Sequence, residues 1–169
     1  MTITVETGSG SDSAANSYVS VANLQAYAAN RGYVLPGTDA ACEVLLIKAM
    51  DYIEAQRDRF QGYKAQSTQP LQWPRAYVMI DNWPVSTSTI PDALVRAQCE
   101  LAVAAYTNTL QPTITPTEVG AAKRKRVEGA VEVEYFDAKS WQRSLPQFTA
   151  AEALLAVVCK PTRPMMIRA

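Results

Sequence analysis

Apolar residues recur at helical spacing in several segments of the chain, and each such segment predicts a helix. The first predicted helix begins after Ser20, a good N-cap residue, and stops at Gly32. Thr38 or Asp39 is the expected cap of a second, longer helix that continues to about Arg59. Its apolar face is broad, which indicates burial against several neighbours.

Two more helices are predicted in the second half of the chain. Thr89 is the expected cap of a third helix that ends near Asn108. A fourth runs from Thr149 to about Lys160, and the spacing of Thr149 and Glu152 fits a capping box.

Period-two alternation predicts a small β element at about residues 121–137. Val127, Val131 and Val133 alternate with charged residues, and Gly129 lies between the two halves. One arm is basic and the other acidic, so cross-strand ion pairs are expected. Ile3 and Val5 could add a short edge strand.

Residues 61–88 contain several prolines and are not expected to be helical. Leu71 and Trp73 are expected to plug the open side of the helical core, since a tryptophan buries a large area. A long connection with exposed aromatics would instead form a contact loop. That alternative concerns a group of neighbouring side chains: Tyr77, Val78, Met79, Ile80 and Trp83.

These elements predict a mainly α fold, a bundle of about four helices with a small β-hairpin and extended N- and C-terminal arms. Residues 1–160 would form one helical domain, and residues 161–169 a C-terminal docking tail. The Gly- and Ser-rich stretch at residues 8–13 is expected to be mobile.

Composition narrows the class of protein. The chain has 169 residues, of which 48% are hydrophobic and 19% charged, as in globular domains. No apolar run approaches a membrane span, and the N-terminus does not resemble a secretory signal, so synthesis and use in a cytoplasm are expected. The net charge is zero, which counts against a dedicated nucleic-acid binder.

Few residues are suited to chemistry, so an enzyme, a metal site and a cofactor are not expected. There is no histidine, and the isolated cysteines Cys42, Cys99 and Cys159 suggest small buried thiols. Asp51, Glu54 and Asp58 share one helical face. They could bind a divalent cation or supply an acid pair, but interleaved basic residues favour a solvated ion-pair face.

The best nucleic-acid candidate is the basic run Lys123, Arg124, Lys125 and Arg126. The alternative is a solvated hairpin arm paired with Glu128, Glu132 and Glu134.

A split series of motifs carries a family resemblance. Its parts are Asn16-Ser17-Tyr18, the stretch Leu46 to Glu54 continuing to Gln69-Pro70-Leu71-Gln72-Trp73-Pro74-Arg75, the stretch Ile90 to Ala102, and Val131 to Tyr135. In this order they resemble the neck proteins of tailed bacteriophages, which join the portal to the tail. This group is also described as DnaT-like and single-stranded-DNA-binding, and the two descriptions imply different functions.

The resemblance to neck proteins implies a structural, non-enzymatic head–tail adaptor of the virion. It implies a homo-oligomeric ring, a dodecamer, that binds the portal protein, meets a stopper or tail-terminator protein, and surrounds passing double-stranded DNA.

The implied portal-binding residues lie in the tail: Arg163, Pro164, Met165, Met166, Ile167 and Arg168. The implied contacts with DNA or a partner are Lys123, Arg124, Lys125 and Arg126. The implied contacts with a neighbouring subunit or the tail side are Tyr77, Met79, Ile80 and Trp83. The alternative function is single-stranded-DNA binding in replication.

Overall fold

The computed structural model describes residues 2–112 and 147–160, and the backbone alone of residues 125–127 and 131–133. Within these residues the predicted mainly α fold is confirmed. The helices are α1 (Val21–Ala29), α2 (Asp39–Ala55), α3 (Asp92–Thr107) and α4 (Thr149–Ala156).

The first two helices begin where the sequence predicts. Ser20 Oγ accepts a hydrogen bond from the Asn23 backbone N–H over 3.2 Å. Thr38 Oγ1 accepts from the Ala41 N–H over 3.4 Å. Each cap satisfies a first-turn donor that has no partner within the helix. Helix α2 ends at Ala55, earlier than predicted, and a 3-10 turn follows.

The predicted caps of the other two helices are wrong, although the fourth helix begins at Thr149 as predicted. Pro91 is the residue before α3, and no side chain caps that helix. Thr89 lies too far back along the chain to reach the first turn. Phe148 precedes α4, so Thr149 is already helical, and Glu152 binds residues of other elements instead of closing a capping box.

The described residues fall into two units. Residues 2–110 and 148–160 belong to the first unit, and residues 111–147 form the second. Within the first unit α3 packs against both α2 and α4. Its largest fully buried side chains come from all four helices and from the loops: Val19, Leu24, Leu46, Ile53, Phe60, Trp73, Val78, Leu94, Gln98, Leu101, Leu155 and Val158.

Residues 61–88 are non-helical, as predicted, and form two short antiparallel pairs. Strand β1 (Tyr63–Lys64) pairs with β2 (Arg75–Ala76), and β3 (Met79–Ile80) pairs with β4 (Trp83–Pro84). Trp73 is fully buried, which confirms its predicted place in the core.

The second unit contains the predicted hairpin. Strand β5 (Lys125–Val127) pairs antiparallel with β6 (Val131–Val133), and Arg126 lies opposite Glu132 in the register. This position suits the predicted cross-strand ion pair, although the side chains lie outside the described residues. Near the N-terminus the predicted edge strand is reduced to a single parallel bridge between Val5 and Ser17.

The Gly- and Ser-rich N-terminal stretch is held by hydrogen bonds, contrary to the predicted mobility. The buried Glu6 carboxylate accepts from the Gly8 and Gly10 N–H groups through one oxygen, over 2.8 and 3.0 Å. Its other oxygen has no partner in the structure. Gly8 has a φ of +103°, and a Cβ there would lie 2.1 Å from the Ser88 carbonyl oxygen, so only glycine fits.

Candidate functional site

The family-signature residues meet in a buried hydrogen-bond network centred on Tyr18. The Tyr18 backbone N–H donates to Gln98 Oε1 over 2.9 Å. Its hydroxyl donates to Glu54 Oε1 and accepts from the Trp73 backbone N–H, both over 3.1 Å. Three distant parts of the sequence are therefore joined through one tyrosine.

Gln98 extends this network into the centre of the helices. It is fully buried on α3, and its amide donates to Ser17 Oγ over 2.8 Å and to the Leu46 carbonyl over 3.2 Å. A buried amide with all these partners fixes the register between the N-terminal segment and two helices.

Glu54 is the charged member of the network. Its carboxylate also accepts from the Gln72 backbone N–H over 3.0 Å. Burial raises the pKa of Glu54 above its ordinary value, and its hydrogen bonds to Gln72 and Tyr18 partly offset that rise. The expected solvated ion-pair face is therefore wrong for Glu54, because its carboxylate holds loop backbone.

Gln69 and Arg75 hold the part of the proline-rich loop that carries the signature stretch 69–75. Gln69 Nε2 donates to the Leu71 and Pro74 carbonyls over 2.9 and 3.0 Å. Arg75 is buried, and its guanidinium donates to the Gln61 and Gly62 carbonyls over 2.7 and 2.8 Å. Buried side chains thus satisfy the backbone of a proline-rich loop that has little regular structure.

A second cluster forms around Glu100, near the end of the Ile90–Ala102 stretch. Its carboxylate accepts from the Tyr27 hydroxyl over 2.6 Å and lies 3.9 Å from Arg31 Nε. Burial and the adjacent carboxylate raise the pKa of Tyr27 to about 12. The Arg31 guanidinium stacks 3.6 Å above the Tyr27 ring. This cluster ties α1 to α3 and is structural.

The two short hairpins carry four of the exposed large apolar side chains, and the others, such as Val34 and Tyr106, lie elsewhere in the first unit. We call Tyr63, Tyr77, Met79 and Trp83 the aromatic surface. Tyr77 and Trp83 are 78% and 76% exposed, values that leave nearly the whole side chain available to a partner. The Tyr63 and Tyr77 rings lie 5.1 Å apart. Large exposed apolar groups on a folded scaffold are typical of interaction sites.

The backbone of these hairpins is tightly constrained. Asp81 and Asn82 both have positive φ angles, as a two-residue hairpin turn requires. Gly62 also has a positive φ, and a Cβ there would lie 1.9 Å from the Ala76 carbonyl oxygen. The aromatic surface is therefore presented by fixed turns.

Not every residue expected on the contact loop is exposed. Val78 is buried and Ile80 packs partly against the core, whereas Met79 between them points outward. This alternation is that of a strand with one face on the core.

The charge of the described side chains does not favour a phosphate-binding surface on the first unit. Acidic residues outnumber basic ones there. Arg59 lies 2.9 Å from Glu152, and Arg96 lies 3.6 Å from Asp92.

In the basic run, Lys125 and Arg126 occupy adjacent positions of β5 and so belong to opposite faces of the hairpin. Lys123 and Arg124 lie outside the described residues, as do the tail residues 161–169.

In the described part of the chain, the residues considered for catalysis or metal binding do not come together in one site. Asp51 is exposed and Asp58 lies 3.7 Å from Arg57, while Glu54 is in the network. Among the described residues, no three acidic, cysteine or histidine side chains are placed to hold a metal ion. The three cysteines are free and buried, as predicted. Burial raises the pKa of Cys99 to about 12, so its thiol stays protonated at neutral pH.

Sequence reasoning did not single out Gln98 or Glu6 as buried polar residues. Gln98 interrupts an apolar helical stripe, which is a usable signal, whereas nothing local marks Glu6 as buried.

The fold and network define a small, mainly α protein whose signature motifs build its core. The chain belongs to the family described as "Putative DnaT-like ssDNA binding protein", whose model matches residues 1–169. It matches no curated protein. No solved structure matches it either. In the described part of the chain, no helix is long and apolar enough to cross a membrane.

Proposed function

We propose that the protein is a non-enzymatic head–tail adaptor of a tailed bacteriophage, a ring subunit beneath the portal. The observation that supports this most is a division of its residues into two groups, one buried and one exposed. The signature residues of the first unit serve an internal scaffold, and the hairpins carry the exposed side chains of Tyr63, Tyr77, Met79 and Trp83. Such a division suits a protein whose function is to contact other proteins.

The aromatic surface would supply the contact with a neighbouring subunit or with the stopper or tail terminator. Tyrosine and tryptophan are the residues that most often dominate protein interfaces. They bury a large area, and fixed backbone turns lower the entropy lost on binding. A dodecameric ring needs two different surfaces on each copy, so that contacts close by rotation.

The tail, residues 161–169, would bind the portal through Pro164, Met165, Met166 and Ile167, with Arg163 and Arg168 beside acidic portal residues. Methionine adapts to irregular apolar grooves. The arm that carries Lys123–Arg126 would line the channel for double-stranded DNA or touch the portal. The protein would be made in the host cytoplasm and end in the virion neck.

The test is co-expression with the cognate portal, followed by purification and light scattering. Full-length protein is compared with a version truncated after Lys160 and with the Tyr77→Ala/Trp83→Ala double variant. Tyr106→Ala is the matched control, because Tyr106 is an exposed tyrosine on α3. We expect the truncation to lose portal association, the double variant to lose ring or tailward assembly, and the control to keep both. A full-length chain that never associates with portal would refute the adaptor function.

Single-stranded-DNA binding is the second candidate, and the family description favours it. The neighbouring Tyr63 and Tyr77 rings could also hold bases, since aromatic faces bind them without sequence preference. This function predicts oligonucleotide affinity that falls steeply with salt and drops when Lys123, Arg124, Lys125 and Arg126 are all changed to alanine. Negligible or salt-independent binding would exclude it.

A further inference from the structure

Tyr63 and Tyr77 lie side by side because the backbone that carries them is fixed. Tyr63 is opposite Ala76 in the β1–β2 register, and Tyr77 follows directly. The buried Arg75 guanidinium donates to the Gly62 carbonyl over 2.8 Å, which ties the two strands together. The Gly62 backbone lies so close to Ala76 that a Cβ there would be 1.9 Å from the Ala76 carbonyl oxygen. The two tyrosines are therefore held as neighbours by contacts beneath them.

The two side chains meet in solvent. Their ring centroids are 5.1 Å apart and the ring planes are inclined by 36°. Tyr63 is 58% exposed and Tyr77 78%, so a dissolved reagent reaches both rings. Interaction with the Tyr77 hydroxyl raises the pKa of the Tyr63 hydroxyl above its ordinary value. The ortho carbons, which flank each hydroxyl-bearing carbon, therefore lie close together as well, and exposed side chains rotate fast enough to bring them into contact.

The other tyrosines of the described part of the chain are placed differently. The Glu100 carboxylate accepts from the Tyr27 and Tyr33 hydroxyls over 2.6 and 3.4 Å. The Tyr52 hydroxyl donates to Glu152 over 2.6 Å, and its ring packs against a phenylalanine. Within the described residues, the pair on the β1–β2 hairpin is the one in which two tyrosine rings come together.

We propose that Tyr63 and Tyr77 form an oxidative cross-linking site, at which their rings join as an intrachain dityrosine. The oxidant is hydrogen peroxide acting through a haem peroxidase, which takes one electron and the hydroxyl proton from each ring. The two phenoxyl radicals form a bond between one ortho carbon of each ring. The hydrogen on each of these carbons then moves as a proton to the phenolic oxygen of the same ring. The two electrons and two protons released convert one hydrogen peroxide into two waters.

Proximity favours the intrachain product over a cross-link between two chains. Groups joined by a short tether meet at an effective concentration of about millimolar or more, about a thousandfold above a micromolar solution of the chain. The new bond closes residues 63–77 into a covalent loop around the signature stretch 69–75, and such a loop stabilises by restricting the unfolded chain. This inference does not depend on the adaptor function, because it uses only the chemistry and placement of the two rings.

The test treats the full-length chain at micromolar concentration with hydrogen peroxide and a haem peroxidase, followed by trypsin and mass spectrometry. Cleavage after Lys64 and Arg75 places the two tyrosines on different peptides. The expected product is peptide 60–64 joined to peptide 76–96 with the loss of two hydrogen atoms. Dityrosine fluorescence of the undigested monomer follows the same reaction.

Conservative variants show which rings react. Tyr63→Phe and Tyr77→Phe each keep the ring but remove the hydroxyl, and each should abolish the joined peptides and most of the dityrosine fluorescence. Tyr106→Phe is the matched control, because Tyr106 is an exposed tyrosine of α3, and it should leave both signals unchanged. Circular dichroism of each variant checks that the fold is kept.

Two outcomes of the mapping would overturn the proposal: dityrosine found only between other peptides, and dityrosine found only between two chains. Urea denaturation then tests the covalent loop. The oxidised parent should unfold at a higher urea concentration than the untreated parent, and oxidation of Tyr77→Phe should give no such rise. An equal rise in both proteins would assign the effect to oxidation elsewhere and would refute the stabilising loop.

Discussion

The Tyr18 hydroxyl donates to the Glu54 carboxylate over 3.1 Å while it accepts the Trp73 backbone N–H over the same distance. Tyr18 is buried, so neither partner can exchange this hydroxyl for bulk water. The network consequently sets much of the stability of the first unit.

Tyr18→Phe should lower the free energy of unfolding by about 1–3 kcal/mol, because the Trp73 N–H loses its acceptor in a buried site. Urea denaturation measures this change. Tyr106→Phe, on an exposed tyrosine, should change it by less than about 0.5 kcal/mol. Equal effects of the two variants would mean that the hydroxyl contributes little.

Gln98→Leu should cost about 2–3 kcal/mol, since it keeps the side-chain volume but leaves the Tyr18 N–H and the Leu46 carbonyl without this partner. Gln25→Leu is the matched control, because Gln25 is an exposed glutamine of α1 that bonds Asp39. Chemical denaturation of both variants should separate them clearly. A Gln98→Leu variant as stable as the parent would contradict a structural role for this amide.

Glu54 should make stability depend on pH. Its folded-state pKa lies above the ordinary 4.5, so the folded chain holds this proton to higher pH than the unfolded chain does. The stabilisation from protonation is complete below about the ordinary pKa and is lost as pH rises through the folded-state pKa. Glu54→Gln mimics the protonated form and removes this dependence. The stability of the variant relative to the parent should therefore rise with pH across this window and level off above it. A constant difference between the two proteins would contradict the raised pKa.

The first unit should fold without the second. Replacing residues 112–146 with a flexible Gly/Ser linker should leave a helical protein that unfolds in one cooperative transition, because α3 and α4 pack within the first unit. Circular dichroism during heating measures this. Loss of the cooperative transition would show that the two units depend on each other.

Apolar spacing alone located every helix within the described residues, because each helix buries one face. The helix starts were harder to predict where the cap is not a side chain, as at Pro91. Thr149 and Glu152 had the right spacing for a capping box, but Glu152 contacts Tyr52 and Arg59 instead. Such tertiary competition is invisible in a local pattern.

The candidate site was predictable only in part. The aromatic content of residues 77–83 indicated a contact loop, and the alternation of Val78, Met79 and Ile80 shows which side chains face outward. Glu54 was misplaced on a solvated face, since its spacing from Asp51 suggested an exposed acidic row. Its true partners lie far away in sequence and could not be inferred from helical geometry.

The late position of helix α4 in the sequence affects how the chain folds during translation. It is translated after the whole second unit, yet Leu155 and Val158 are fully buried in the core of the first. A nascent chain that has made α2 and α3 must therefore keep part of their apolar surface uncovered while residues 111–147 emerge. The ribosome-bound intermediate should be a substrate for chaperones, and rare codons within that stretch should lengthen its exposure.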